Sequence, residues 1–290
     1  MLRFDGRVAL ITGAGGGLGR GYACELASRG ARVLVNDIRG ADETVSAIHA
    51  SGGEAVANAD SVETHGGALA IVDAALEAYG RLDVVVNNAG FLRDRTFEKM
   101  SFDELDAVIG VHLLGPMYVT KAAWPAMKRN GYGRVVLVSS TTGLYGNFGQ
   151  TNYAAAKLGI VGFMNALKEE GRKSGILVNA IAPLARTRAS EDVFDASLAQ
   201  AMRIDWIVAL VTYLVSEACT ANGHLIHTGA GRYARARIAE NAGITFPLDA
   251  PITAEEVEVA YPAIVEEPPT RTFENAVEAV RAKGIESTSR

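Results

Sequence analysis

Tyr153 and Lys157 stand four residues apart in "NYAAAKLGIVGF". On a helix that spacing puts both side chains on one face. An ammonium beside a phenol favours the phenolate and draws its pKa down from about 10 toward neutrality. A phenol so tuned can exchange a proton with a substrate oxygen. Ser140 ends the preceding strand-like run "GRVVLVSS" and can place its hydroxyl on the same oxygen. Singly, each has a plain reading, because Tyr–Lys pairs on helices mostly decorate surfaces. Proton exchange at a carbinol becomes redox chemistry only if the chain also holds an electron acceptor.

"TGAGGGLGRG", residues 12–21, provides for one. It lies between the strand-like "RVALI" and the helix-like "YACELASRG", with Gly13, Gly17 and Gly19 in a G-x-x-x-G-x-G pattern. The glycines can serve mechanically, reaching backbone angles closed to other residues. They can also let the N–H groups of a helix start approach a pyrophosphate. Asp37 ends the second strand-like run, 18 residues after Gly19. A carboxylate there can accept both ribose hydroxyls of an adenosine and repel a 2′-phosphate, which favours NAD over NADP. Arg39 is the counter-signal.

These residues need a scaffold that brings them to one edge. Apolar runs "VALIT", "RVLVND", "EAVANAD", "LDVVVNNAG", "GRVVLVSS", "ILVNAIAP" and "GHLIHTG" alternate with helical patterns near 18–29, 41–51, 65–79, 102–129, 151–173 and 204–216. The runs are rich in Val, Ile and Leu without polar alternation, so both sheet faces should be covered. The expected fold is α/β: a Rossmann-type, doubly wound parallel sheet of about seven strands with helices on both faces. Its ligand edge, beyond the carboxyl ends of the strands, receives the glycine turn, Asp37, Asp60, "NNAG", Ser140 and Pro183. We expect residues 1–232 to form the NAD-binding catalytic domain and 233–290 a C-terminal helical extension. Five of the eight prolines fall between 247 and 269, which excludes a continuing central sheet. Thr253 and Glu256 read as a capping box opening a helix over 254–265. "TRTFENAVEAVRAK" reads as a second helix, stopped by Gly284.

Composition narrows the class. The chain is 49% hydrophobic and 21% charged with a net charge of −5, and no basic cluster suggests nucleic acid. Its longest apolar candidate, "IVALVTYLV", is half the roughly 18 residues a membrane span needs. "MLRFDGR" lacks the apolar region of a signal peptide, and "STSR" is not a peroxisomal address. Two thiols make no disulfide framework, so Cys24 and Cys219 read as reduced packing residues in a cytoplasmic protein. His224 and His227, three residues apart in a strand, point to opposite faces, and no metal site is expected.

The chain resembles the short-chain dehydrogenase/reductase family over roughly residues 4–232. The resemblance is carried by "TGAGGGLG", "NNAG" at 87–90, Ser140 in "SSTTG", "YAAAK" at 153–157, and Pro183 with Thr187 in "PLART". Through "NNAGFLRDRTFEKMS", "VHLLG", "YGNFGQTNYAAAKLG" and "EEGRKSGILVNAIAP" it is similar to the (3R)-hydroxyacyl-CoA dehydrogenase part of peroxisomal multifunctional enzymes of β-oxidation. The likeness continues weakly through "GAGRYARARIAENAG" and "ITAEEVEVAY".

The resemblance implies roles. Gly13, Gly17, Leu18 and Gly19 would line the pyrophosphate, Asp37 the adenine ribose, and Asp60 with Ser61 the adenine edge. Asn88, Ala89 and Gly90 would back the cofactor. Lys157 would also hold the nicotinamide ribose, with Pro183 and Thr187 at the carboxamide. Ser140, Tyr153 and Lys157 would be catalytic. His112 stands where the family usually has an Asn of a proton relay, and it can either join a water relay or replace a structural contact. Leu184 stands where a glycine usually follows Pro183, which would narrow the pocket near the nicotinamide.

The expected reaction is reversible NAD-linked oxidation of a secondary alcohol, a (3R)-3-hydroxyacyl-CoA. An NADPH-linked 3-oxoacyl-carrier-protein reductase, a hydroxysteroid dehydrogenase and a non-catalytic nucleotide-binding scaffold are the rivals. The family's dimer face, helices near 102–129 and 151–173, implies a homodimer or homotetramer. For the coenzyme A phosphates, Arg93 and Arg95 in "FLRDRTF" are candidates, with Arg232 or Arg235. The alternative is a local salt-bridged loop in which Asp94 neutralises both arginines.

Overall fold

A computed structural model describes residues 1–184, 203–266 and 268–282. Five-residue apolar runs form β1 (Val8–Thr12) and, after α1 (Gly17–Ser28), β2 (Arg32–Asn36). There follow α2 (Ala41–Ala50), β3 (Glu54–Asn58), α3 (His65–Tyr79) and β4 (Val84–Asn87). Next come α4 (Phe102–Ile109), α5 (Gly115–Asn130), β5 (Gly133–Val138), α6 (Thr141–Tyr145), α7 (Thr151–Gly171) and β6 (Ile176–Pro183). The series runs on through α8 (Asp205–Leu214), β7 (Leu225–Gly229), β8 (Arg232–Ala236), α9 (Ala254–Val265) and α10 (Ala276–Arg281).

The strands form one sheet in the order β3-β2-β1-β4-β5-β6-β7-β8. Neighbours from β3 through β7 are parallel, as continuous apolar strands joined by helical crossovers must be. β1, β4 and β5 are buried at every position. The core packs Tyr22 and Leu26 of α1 and Ile207, Val211 and Leu214 of α8 against Ile11, Val33 and Val86 of the sheet. The strand order reverses between β1 and β4, and their carboxyl ends open a crevice there.

The sheet has eight strands rather than about seven. β8 follows β7 through Ala230 and Gly231, at φ 50° and 73°, the left-handed pair a two-residue hairpin requires. Its residues, "RYARA", are mostly exposed, so this edge strand has no apolar run to announce it in the sequence. The helix expected over 102–129 runs from 102 to 130 but contains a π-helical turn, Gly110–Leu114, between α4 and α5. Ser101 and Glu104 cap its start reciprocally.

The chain divides into two compact units, Met1–Arg235 and Ala236–Arg290. In the second, α9 opens on the Thr253–Glu256 capping box and spans the expected residues. Glu240 pairs with Arg271 in an isolated antiparallel bridge, and the Asn241 amide donates to the Ile264 carbonyl. Gly284 lies outside the described residues. No helix among the described residues is long and apolar enough to cross a membrane.

Candidate active site

The glycine turn uses its glycines in two ways. A Cβ on Gly13 would lie 2.6 Å from the Ala89 Cα, and one on Gly19 would strike the Gly13 carbonyl oxygen. One on Gly15 would strike the Arg39 carbonyl oxygen. Those three are demanded by the protein's own backbone packing. Nothing lies within 4 Å of a Cβ on Gly16 or Gly17. Gly16 precedes α1 as its cap residue and supplies no side-chain cap bond to the first turn. Such a helix start fits a pyrophosphate. Gly17, at φ 53°, suits the turn that presents it.

"NNAG" braces this turn from below. The Asn88 amide donates to the carbonyls of Thr12 and Gly13 at 3.1 and 3.0 Å, while the Thr12 hydroxyl accepts from the N–H groups of Asn88 and Ala89. A Cβ on Gly90 would strike the His112 imidazole. Gly90 makes room for that ring.

Asp37 follows β2 at the same edge. Its Oδ2 accepts from the Gly15 N–H at 2.9 Å and its Oδ1 from the Arg39 N–H at 3.1 Å. Each oxygen keeps a lone pair, so the carboxylate still has acceptor capacity for a diol. Asp60 is tied to the Asn58 amide at 2.7 Å, and the Ser61 hydroxyl accepts from the Glu63 N–H. Both lie beyond β3 on the side of Asp37.

Ser140 caps the short α6, its hydroxyl accepting from the Thr142 N–H at 3.1 Å. Burial is the largest influence on the Tyr153 phenol and pushes its pKa up; the nearby Ser140 hydroxyl pulls it down, and the charge of Asp94 pushes it up again. Lys157 is fully buried, which pushes its pKa down to about 7. The lysine Nζ donates to the Val138 carbonyl at 2.5 Å and lies 5.6 Å from the Tyr153 ring centroid. The phenol is therefore raised, not lowered as its lysine neighbour led us to expect. Burial opposes an isolated charge on either group, and the ammonium is committed to a backbone carbonyl.

His112 sits in the π-helical turn, 3% exposed, with its ring edge-on to that of Tyr153. Its Nε2 lies 2.6 Å from the Phe91 carbonyl oxygen and 3.0 Å from the Phe91 N–H, and its Nδ1 has no partner. Burial, then the Lys157 charge, push its pKa down to about 3. The ring is neutral at working pH.

Other placements differ from expectation or extend it. Asp94 accepts from Gln150 at 2.8 Å, and Arg95 pairs with Glu104. The loop alternative in which Asp94 neutralises both arginines is thus not what forms. Arg93 is exposed, stacks 5.0 Å over the Phe91 ring and makes no ion pair among the described residues. Arg232 and Arg235 lie in β8. Pro183 ends β6, and the Leu184 N–H donates to Thr228 while its backbone and Cβ crowd Gly229. Thr187 lies outside the described residues. His227 approaches Thr141 at 3.2 Å, and no three of His, Cys, Asp and Glu converge among the described residues. Cys24 is half-buried and Cys219 buried, both free.

Three supporting residues escape a reading of motifs. Thr12 holds "NNAG", Ser139 donates to the Lys157 carbonyl at 2.7 Å, and Gln150 bridges three segments. The run "GQTNY" carries the last in plain view, but only its partners reveal its use.

The short chain dehydrogenase family matches residues 7–196. Peroxisomal multifunctional enzyme type 2 of Mus musculus is 48% identical over 88% of this chain, which spans only 36% of that protein's length. A short-chain type dehydrogenase/reductase of Mycobacterium tuberculosis is 45% identical over 90% of this chain and 94% of its own. Among solved structures, a 7α-hydroxysteroid dehydrogenase complexed with NADH and 7-oxo glycochenodeoxycholic acid is 27% identical, with a TM-score of 0.74 over 79% of this chain and 95% of its own. With its parallel sheet, its glycine turn at the strand-order reversal and its matched sequence, the chain belongs to the short-chain dehydrogenase family and is an oxidoreductase acting on CH–OH groups.

Proposed function

We propose that the protein interconverts a (3R)-3-hydroxyacyl-CoA and the 3-oxoacyl-CoA with NAD. The observation that carries this reading is the convergence of Ser140, Tyr153 and Lys157 at the sheet edge that also holds the glycine turn and Asp37. Likeness to the multifunctional enzyme supports the substrate class, and the NADH-bound neighbour supports the cofactor.

The uncrowded backbone at Gly16 and Gly17 would hold the pyrophosphate, and Asp37 the adenine ribose. The nicotinamide ring, when bound, supplies the acceptor for the carbinol's electron pair. Tyr153 takes the hydroxyl proton and Ser140 holds the oxygen in place for it. A phenolate beside an ammonium contains the same number of protons as a phenol beside a neutral amine. In a site that resists either charge alone, the Lys157 ammonium would favour the Tyr153 phenolate. His112, neutral and hydrogen-bonded to Phe91, positions the ring edge of Tyr153. The family's dimer face, the helices over 102–129 and 151–173, supports a homodimer or homotetramer. A cytoplasmic location is part of the same reading.

The test is NAD reduction with a medium-chain (3R)-3-hydroxyacyl-CoA by the intact protein and by Tyr153→Phe. The variant loses the proton-transfer group, so kcat should fall by about 10²-fold or more with little change in NAD affinity. Near-full turnover by the variant, or activity with NADPH alone, would overturn the reading.

A further inference from the structure

Gln150 immediately precedes α7, three residues before Tyr153, and is 8% exposed. The residue at a helix start is often one whose side chain caps its own helix, such as Ser, Thr, Asp or Asn. Gln150 does not; its side chain makes no cap bond. Its Oε1 instead accepts from the Thr142 hydroxyl and from the Asn147 amide, both at 3.0 Å. Its Nε2 donates to the Asp94 carboxylate at 2.8 Å. The adjoining backbone adds a fourth tie, the Arg95 N–H donating to the Gly149 carbonyl at 2.8 Å.

One nearly buried amide thus joins three segments. Thr142 is the residue whose N–H bonds the Ser140 hydroxyl at 3.1 Å. Asp94 belongs to the loop that follows β4, beyond Phe91 and its bonds to His112. Gln150 itself leads directly into the helix of Tyr153 and Lys157. Both lone pairs of the carbonyl oxygen are used, and the opposed polarity of its two ends fixes which segment each meets.

We propose that Gln150 is the positioning residue of this site, setting the distance between the Ser140 hydroxyl and the Tyr153 phenol by locking α6 and the 91–96 loop onto the start of α7. The inference rests on the assignment of Ser140 and Tyr153 above. Gln150 touches neither the substrate oxygen nor the phenol; it acts through Thr142 and Asp94. Displacements of about 1 Å at a reacting pair cost on the order of 10²-fold in rate, so a loosened lock should appear in kcat.

The experiment uses the full chain with NAD and (3R)-3-hydroxydecanoyl-CoA. Gln150→Met keeps the volume and removes all three bonds, and it should lower kcat about 10-fold or more with NADH affinity unchanged. Gln150→Glu keeps the acceptor but sets a carboxyl against Asp94. A proton shared by the two carboxyls would restore the donor, so its kcat relative to the unaltered protein should rise as pH falls. Asp94→Ala cuts a single tie at an exposed loop residue and serves if the Gln150 variants do not fold. It should lower kcat more than Asp94→Asn, which retains an acceptor. Should Gln150→Met, or Asp94→Ala in its place, keep kcat within twofold while Tyr153→Phe is inactive, the positioning role is wrong. A pH-independent loss in Gln150→Glu would equally overturn it. If Tyr153→Phe is itself active, the assignment of the catalytic pair fails instead.

Discussion

The imidazole of His112 meets the phenol ring of Tyr153 edge-on, with centroids 5.0 Å apart and planes at 84°. Gly90, having no side chain, leaves room for the imidazole, which is carried by the π-helical turn Gly110–Leu114. A neutral ring is required there. A charged one would lie buried beside Lys157, whose ammonium already helps hold the imidazole pKa down to about 3.

That burial makes His112 a source of acid sensitivity. Its folded pKa lies below the unfolded value of about 6.5, so the unfolded chain binds the proton first. Stability present above that value is lost as pH falls toward 3. His112→Asn should flatten the fall of Tm between neutral and acid pH. Melting curves of both proteins across this range, showing parallel slopes, would contradict the prediction.

Lys157 acts in the opposite window. Its pKa is pushed down to about 7 from an unfolded value near 10.4, so the unfolded chain holds more protons between those limits. Stability should therefore rise with pH from neutrality into the alkaline range. Lys157→Met, which removes the buried amine, should lose this rise while turnover falls by about 10²-fold or more. Denaturant midpoints at several pH values measure the first effect and initial rates the second.

The proposed reading gives Asp37 the choice of cofactor. With one lone pair on each oxygen still available, it can hold a ribose diol but repels a phosphate ester. Asp37→Ala should raise the Kd for NAD about 10-fold and narrow the preference over NADP. Titration of cofactor fluorescence decides, and equal kcat/KM for both cofactors in the unaltered protein would refute the role. The same substitution also frees the Gly15 N–H, so some of the loss will come from the turn itself.

Arg93 is the cation of its loop without a carboxylate partner among the described residues, since Arg95 is held by Glu104 and Asp94 by Gln150. If a coenzyme A phosphate reaches the cleft mouth, Arg93→Ala should raise KM for a hydroxyacyl-CoA about threefold, the scale of an exposed ion pair. The same acyl chain on a pantetheine thioester should show no change. Equal KM values for both substrates, indifferent to salt, would favour an uncharged alcohol.

Local sequence determined what depends on neighbours along the chain. The continuous Val and Ile runs of β1, β4 and β5 could only become covered parallel strands, and the four-residue step from Tyr153 to Lys157 put both on one helix face. The Thr253–Glu256 box likewise marked the start of α9 to the residue. Tertiary structure decided what depends on distance across the fold. Gly13 and Gly19 are demanded by Ala89, Asn88 and each other, whereas Gly16 and Gly17 are left open, a division that no spacing of glycines encodes. The phenol pKa of Tyr153 rises instead of falling because desolvation is a property of the closed core, and the Lys157 ammonium donates to the carbonyl of Val138 at the end of β5. β8 passed unread because an exposed edge strand needs no apolar pattern. Gln150 finds Asp94 across 56 residues of chain, and only packing could bring those two side chains within hydrogen-bonding reach.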